Sequence, residues 1–139
     1  EPIKLHPENP HHFLFRGRPT ILITSAEHYG AVINLDFDYV RYLESLAAHK
    51  LNYTRIYPRS LFEREGDFIA ENTLAPRSGR LILPWVRSTT PGFPFGGNKF
   101  DLDTWDKDYF DGLKDFVAKA SERDIVVEIC FFNAQYPKN

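Results

Sequence analysis

The chain holds one cysteine and no methionine in 139 residues. A single thiol excludes an intrachain disulfide and a zinc site built on several cysteines. Cys130 stands inside an apolar run with no histidine or lysine beside it, so it reads as a small buried residue rather than a nucleophile. Methionine is missing even at position 1, where Glu1 stands. The start is read as a processed or trimmed end, compatible with a removed signal peptide and a secreted or periplasmic location. No apolar run approaches the roughly 20 residues that span a bilayer, so no membrane partner is expected. Nor is there a surplus of charge: 17 basic and 19 acidic residues leave a net charge of -2. Without a basic field, nucleic acid is not an expected partner either.

Aromatic residues are plentiful: 12 Phe, 7 Tyr and 2 Trp make up 15% of the chain. Several stand between the expected regular elements, among them Phe62, Phe68, Trp85, Phe93, Phe95 and Phe100. Aromatic side chains on loops point to a binding surface.

Three apolar, β-branched runs read as strands: Thr20 to Ser25, Leu51 to Tyr57 and Ile125 to Asn133. Each ends in polar and aromatic residues, with Glu27, His28 and Tyr29 after the first, Arg55 and Tyr57 in the second, and Asn133 and Tyr136 closing the third. Leu5 to Ile23 reads as a hairpin turning at Arg16-Gly17-Arg18-Pro19. A helix is expected from Asp36 to His49, on the spacing of Val40, Leu43, Leu46 and Ala47, with Asp36 as its N-cap. A second is expected from about Thr104 to Arg123, with Asp103 as cap and Trp105, Tyr109, Leu113 and Phe116 on its apolar face. The 45 residues between them, 58–102, show no sustained period and read as a long substrate-side loop. Residues 91–98 carry several glycines but lack the Gly-Lys-Ser/Thr ending of a phosphate cradle. His11 and His12 read as a solvated loop rather than a metal site. Asn52-Tyr53-Thr54 matches the glycosylation sequon inside an expected buried strand, and is read as chance.

The order is hairpin, strand, helix, strand, long loop, helix, strand. Right-handed β-α-β units of this kind open both an eightfold (β/α)8 barrel and a doubly wound sheet. The preceding hairpin and the lack of a G-x-G-x-x-G after the first strand favour the barrel. The expectation is therefore an α/β fold, the N-terminal part of a (β/α)8 TIM barrel, incomplete in this chain. Residues 1–139 would form one fragment of a catalytic domain, with 1–19 as its N-terminal hairpin region. Arg55, mid-strand, should meet a carboxylate, for which Glu128 and Glu27 are the candidates. Glu128 is read as that structural counter-ion, and Glu27 as a substrate-contacting residue ahead of a proton donor.

HPENPHHFLFRGRPTILI, SAEHYG, LNYTRIY and KFDLDTWDKDYFDGLKDFVAKASERDIVVEICFF together resemble the N-terminal part of cellulase-like glycoside hydrolases, the large retaining clan that includes family 5. The resemblance implies O-glycosidic bond hydrolysis in a poly- or oligosaccharide by two glutamates, an arginine that stabilises the site (here Arg55), and aromatic loops stacking on sugar rings. It implies a carbohydrate partner, no cofactor and no metal. Asn133 is followed by Ala134 rather than by a glutamate, so the catalytic pair is expected elsewhere, with the remainder of the barrel in the same or a companion chain. The substrate-binding set expected here is Glu27, His28, Tyr29, Arg55, Tyr57, Trp85, Phe93, Phe95 and Asn133. A non-catalytic carbohydrate-binding protein on the same scaffold, or a small doubly wound binding domain, is the alternative.

Overall fold

Thr54 and Ile56 are fully buried while Tyr53 and Arg55, which alternate with them, are half-exposed, the alternation of a strand with one face on a core. This strand lies in a computed structural model that describes residues 2–24, 30–58, 63, 66, 72–73 and 75–131. Among these residues, seven strands and two helices follow in the order β1 (Lys4–Leu5), β2 (Phe13–Phe15), β3 (Arg18–Thr20), α1 (Tyr39–Ala48), β4 (Tyr53–Ile56), β5 (Trp85–Pro91), β6 (Asn98–Trp105), α2 (Lys107–Glu122) and β7 (Val126–Ile129).

The strands form three small sheets among the described residues. β1, β2 and β3 make an antiparallel meander, β5 and β6 an antiparallel hairpin, and β4 and β7 a parallel pair in which Arg55 is the register partner of Glu128. The expected opening of a (β/α)8 barrel is thereby overturned: among the described residues antiparallel pairing dominates, and only β4 and β7 run parallel. The run from Thr20 is not the first strand of a parallel sheet. Thr20 ends β3, and residues 21–24 form no strand. They are held instead by Asn52, whose side-chain amide donates to the Ile21 carbonyl at 2.9 Å while its oxygen accepts from Ile23 N–H at 2.8 Å. With its amide so engaged and Thr54 buried, the sequon around Asn52 serves packing.

The segment 58–102, expected to lack regular structure, contains β5 and most of β6. Register shifts between Trp85 and Arg87 and between Arg87 and Pro91 interrupt the alternation of β5, which is why no period of two shows there. Gly96 and Gly97, both at positive φ, close the turn between the strands, and Phe93 N–H donates to Gly97 O at 3.2 Å.

The helices carry the main core. Leu43 and Leu46 of α1 meet Phe116 and Ala120 of α2 over Ile56 and Ile125, and a second cluster gathers Ile33, Leu81, Leu83 and Tyr109. Tyr39 stands edge-on to Phe116 with ring centres 5.5 Å apart, and its hydroxyl donates to Asp115. The caps differ from those expected. Asp38, not Asp36, caps α1 by accepting from Arg41 N–H at 3.0 Å, and Asp106, not Asp103, caps α2 by accepting from Asp108 and Tyr109 N–H. Asp36 instead receives Arg77 and Arg80, each at 2.8 Å, tying the loop before α1 to the segment before β5. Both helices end alike. Lys50 and Asp124 take positive φ, and the next residues, Leu51 and Ile125, return N–H bonds to Leu46 and Ala120 at 2.9 Å, turning the chain directly into β4 and β7.

Candidate functional site

Because β4 and β7 are parallel and in register, the side chains opposite the core share one outward face. From β4 come Tyr53, Arg55 and, just beyond its end, Tyr57; from β7 come Glu128 and, just beyond, Cys130. Arg55 Nε lies 3.0 Å from Glu128 Oε2, with the side chains 32% and 41% exposed. The Tyr53 hydroxyl donates to the same carboxylate oxygen, and Cys130 Sγ donates to Oε1 at 3.3 Å.

Burial pushes the Glu128 carboxyl up, but hydrogen bonds from Tyr53, Arg55 and Cys130, with the Arg55 charge, outweigh it and hold the group below its ordinary value. Tyr53 is pushed up to about 12, by burial first and then by its bond to Glu128. Burial and the neighbouring carboxylate also raise the Cys130 thiol. Glu128 is thus an ionised counter-ion rather than a proton donor, and Cys130 is not an activated nucleophile.

A carboxyl with a lower pKa in the folded chain adds stability above its ordinary value of 4.5 and loses it as pH falls through the lowered value. Glu128→Gln should therefore destabilise the chain near neutral pH by about 0.5–1 kcal/mol, a modest figure because the pair is solvated. Urea unfolding of both proteins should show that difference shrinking in acid; a difference independent of pH would contradict the assignment.

The second group of residues sits at the C-terminal ends of the same two strands, the edge at which parallel strands present ligand sites. Pro58 follows β4 and Phe131 follows β7, and between them opens a pocket of about 180 Å3. Tyr109, Phe110 and Leu113 of α2 line one side. Trp85 and Trp105, from the paired ends of β5 and β6, line another, their rings stacked with centres 5.8 Å and planes 18° apart. Trp105 is 64% exposed, and Phe110 meets it edge-on at 5.6 Å. The Tyr109 hydroxyl donates to Pro58 O at 2.9 Å, fixing the end of β4 to α2.

The residues expected at the site separate into three groups. Arg55 and Tyr57 share the face of β4, and Trp85 lines the pocket at the end of that strand. Phe93 and Phe95, 5.9 Å apart, belong to a ring cluster at the other end of the β5–β6 hairpin. There Arg87 lies over Phe93 and Phe100, at 4.9 and 3.9 Å from the ring centres, and donates to Asn98 O at 2.6 Å. Glu27, His28, Tyr29 and Asn133 lie outside the described residues. Trp105, whose spacing suits the apolar face of α2, ends β6 instead. The alternation Lys99-Phe100-Asp101-Leu102-Asp103-Thr104 leading into it is the signal for a strand.

Among the described residues no three His, Cys, Asp or Glu side chains gather as metal ligands, and no helix is long and apolar enough to cross a membrane. His6 Nδ1 accepts from Glu8 and Asn9 N–H at 3.2 Å, a turn-closing role.

No family model and no curated protein matches the chain. Among solved structures, a Bacteroides vulgatus protein named a "putative glycoside hydrolase" matches 86% of this chain with a TM-score of 0.56 and 15% identity. The matched part is 22% of that protein, so the chain spans about a fifth of its length. At this identity the likeness is one of fold.

Proposed function

We propose that this chain is the substrate-binding portion of a glycoside hydrolase that cleaves O-glycosidic bonds of a poly- or oligosaccharide. The observation that carries the reading is the Trp85–Trp105 stack, which presents the exposed Trp105 to solvent beside the ends of β4 and β7. Flat indole surfaces of this kind bind the CH faces of sugar rings, while polar neighbours select among hydroxyls. The fold likeness to part of a protein named as a glycoside hydrolase supports the same class, as does the resemblance of LNYTRIY and its flanking elements to the retaining clan that includes family 5.

In that chemistry two carboxyl groups about 5–5.5 Å apart act as nucleophile and as acid then base. Glu128 is engaged with Arg55 and Tyr53 and held below its ordinary pKa, which suits support of the site rather than proton delivery. The reading therefore places the catalytic pair in the rest of the enzyme, in the same or a companion chain. Glu27, His28, Tyr29, Arg55, Tyr57 and Asn133 are assigned to substrate contact with the tryptophans. The commitment of Glu128 equally favours a second reading, a carbohydrate-binding protein without hydrolysis.

Trp105→Ala is the direct test. It should weaken binding of the best glycan in a polysaccharide and oligosaccharide panel by roughly 10-fold, the loss of about one aromatic contact. Affinity electrophoresis and calorimetry would measure this, and unchanged affinity across the panel would remove the stack from the site. Release of reducing sugar by the complete enzyme separates the two readings.

A further inference from the structure

The pocket beneath the tryptophan stack has a chemistry of its own. None of the eight side chains that line it among the described residues is charged. The Tyr109 hydroxyl is already engaged, donating to the Pro58 carbonyl. A pyranose pushed into this space would bring a rim of hydroxyls with few partners among the described residues, and unpaired polar groups are costly to bury. A sugar can lie on the exposed Trp105, but it does not suit the interior.

A flat apolar ring does. The pocket measures about 180 Å3, and a dry cavity of roughly 150 Å3 lined by Leu, Ile and Phe is enough to take benzene. The ring planes around it also match. Phe110 stands at 77° to Trp105 and at 88° to Tyr109, so an entering ring meets both faces and edges, the geometry aromatic groups prefer.

We infer that this pocket is a subsite for an aryl group attached to a sugar, so that the chain favours aryl glycosides over glycosides carrying a small aliphatic group. The inference rests on the carbohydrate reading above and narrows its substrate class. Pro58 and Phe131 place the pocket at the C-terminal ends of β4 and β7, on the side of α2, with the exposed Trp105 on its wall. A sugar lying on the exposed Trp105 with its aryl substituent inside the pocket would thus span the two.

The test is calorimetric titration of the chain with matched phenyl and methyl glycosides of glucose, galactose, mannose and xylose, together with benzyl alcohol as a ring without sugar. At least one phenyl glycoside should bind about 10-fold or more tightly than its methyl partner, as expected from burying a phenyl group. Trp105→Ala and Phe131→Ala, both at exposed positions, should each remove most of that preference. Equal binding of phenyl and methyl glycosides overturns the aryl subsite and leaves the carbohydrate reading standing. Binding of benzyl alcohol with no glycoside bound supports an apolar-ring pocket and overturns the carbohydrate reading. A preference that survives both substitutions, or the absence of binding by any probe, overturns the inference.

Discussion

Phe116→Ala is expected to destabilise the chain by about 3–5 kcal/mol, a large share of the stability of a domain this size. The side chain is fully buried where α1, α2, β4 and the entry to β7 converge: it touches the cluster of Leu43, Leu46, Ile56 and Ile125 and meets Tyr39 edge-on. Removing the ring forfeits its transfer from water and leaves a cavity that two helices and a parallel strand pair cannot collapse into without moving together. A typical domain has only about 5–15 kcal/mol in total, so the variant should unfold at a far lower denaturant concentration. Val117→Ala, one position along on the exposed side of α2, should change stability by less than about 1 kcal/mol. Equal effects from the two would mean that α2 presents a different face to the core.

Tyr109→Phe is expected to cost about 1–3 kcal/mol although it removes a single oxygen. Tyr109 is 2% exposed, and its hydroxyl donates to the Pro58 carbonyl. The substitution leaves that carbonyl without this partner beside an apolar pocket, and the asymmetry between an unmade and a replaced hydrogen bond sets the magnitude. Burial also pushes the phenol well above its ordinary range, so it remains a donor around neutral pH. Urea unfolding measures the loss. A change below about 0.3 kcal/mol would show that the Tyr109–Pro58 bond does not tie β4 to α2.

How much of this is legible in the sequence depends on how local the physics is. Both helices follow from apolar residues spaced three and four apart, because helical periodicity is written in a short window. Their caps lie two and three residues beyond the expected ones, since Asp36, Asp38, Asp103 and Asp106 are chemically equivalent as caps. What separates the first two is distant: Asp36 is taken by Arg77 and Arg80, about forty positions along the chain. The Arg55–Glu128 pair is readable from the need of a mid-strand arginine for a carboxylate, and parallel register supplies it. Sheet topology is not readable. An apolar run such as Thr20 to Ile23 suits either kind of strand, and whether it pairs in parallel is decided by partners remote in sequence. In this chain β3 pairs backward with β2, while Asn52 occupies the backbone groups of residues 21–23. The tryptophan stack is hidden for the same reason. The bulged register of β5 conceals its strand, and Trp105 shares the period of a helix that begins two residues later.

The central claim is that the space between the Trp85–Trp105 stack and the ends of β4 and β7 binds an aryl-bearing sugar. Its most direct measurement is a crystal structure of the chain with a bound phenyl glycoside. The phenyl ring is expected in the pocket against Trp85, Trp105 and Phe110, with the sugar on the exposed side of Trp105. A phenyl group in solvent with the pocket empty, or a glycoside bound on another face of the molecule, would contradict it.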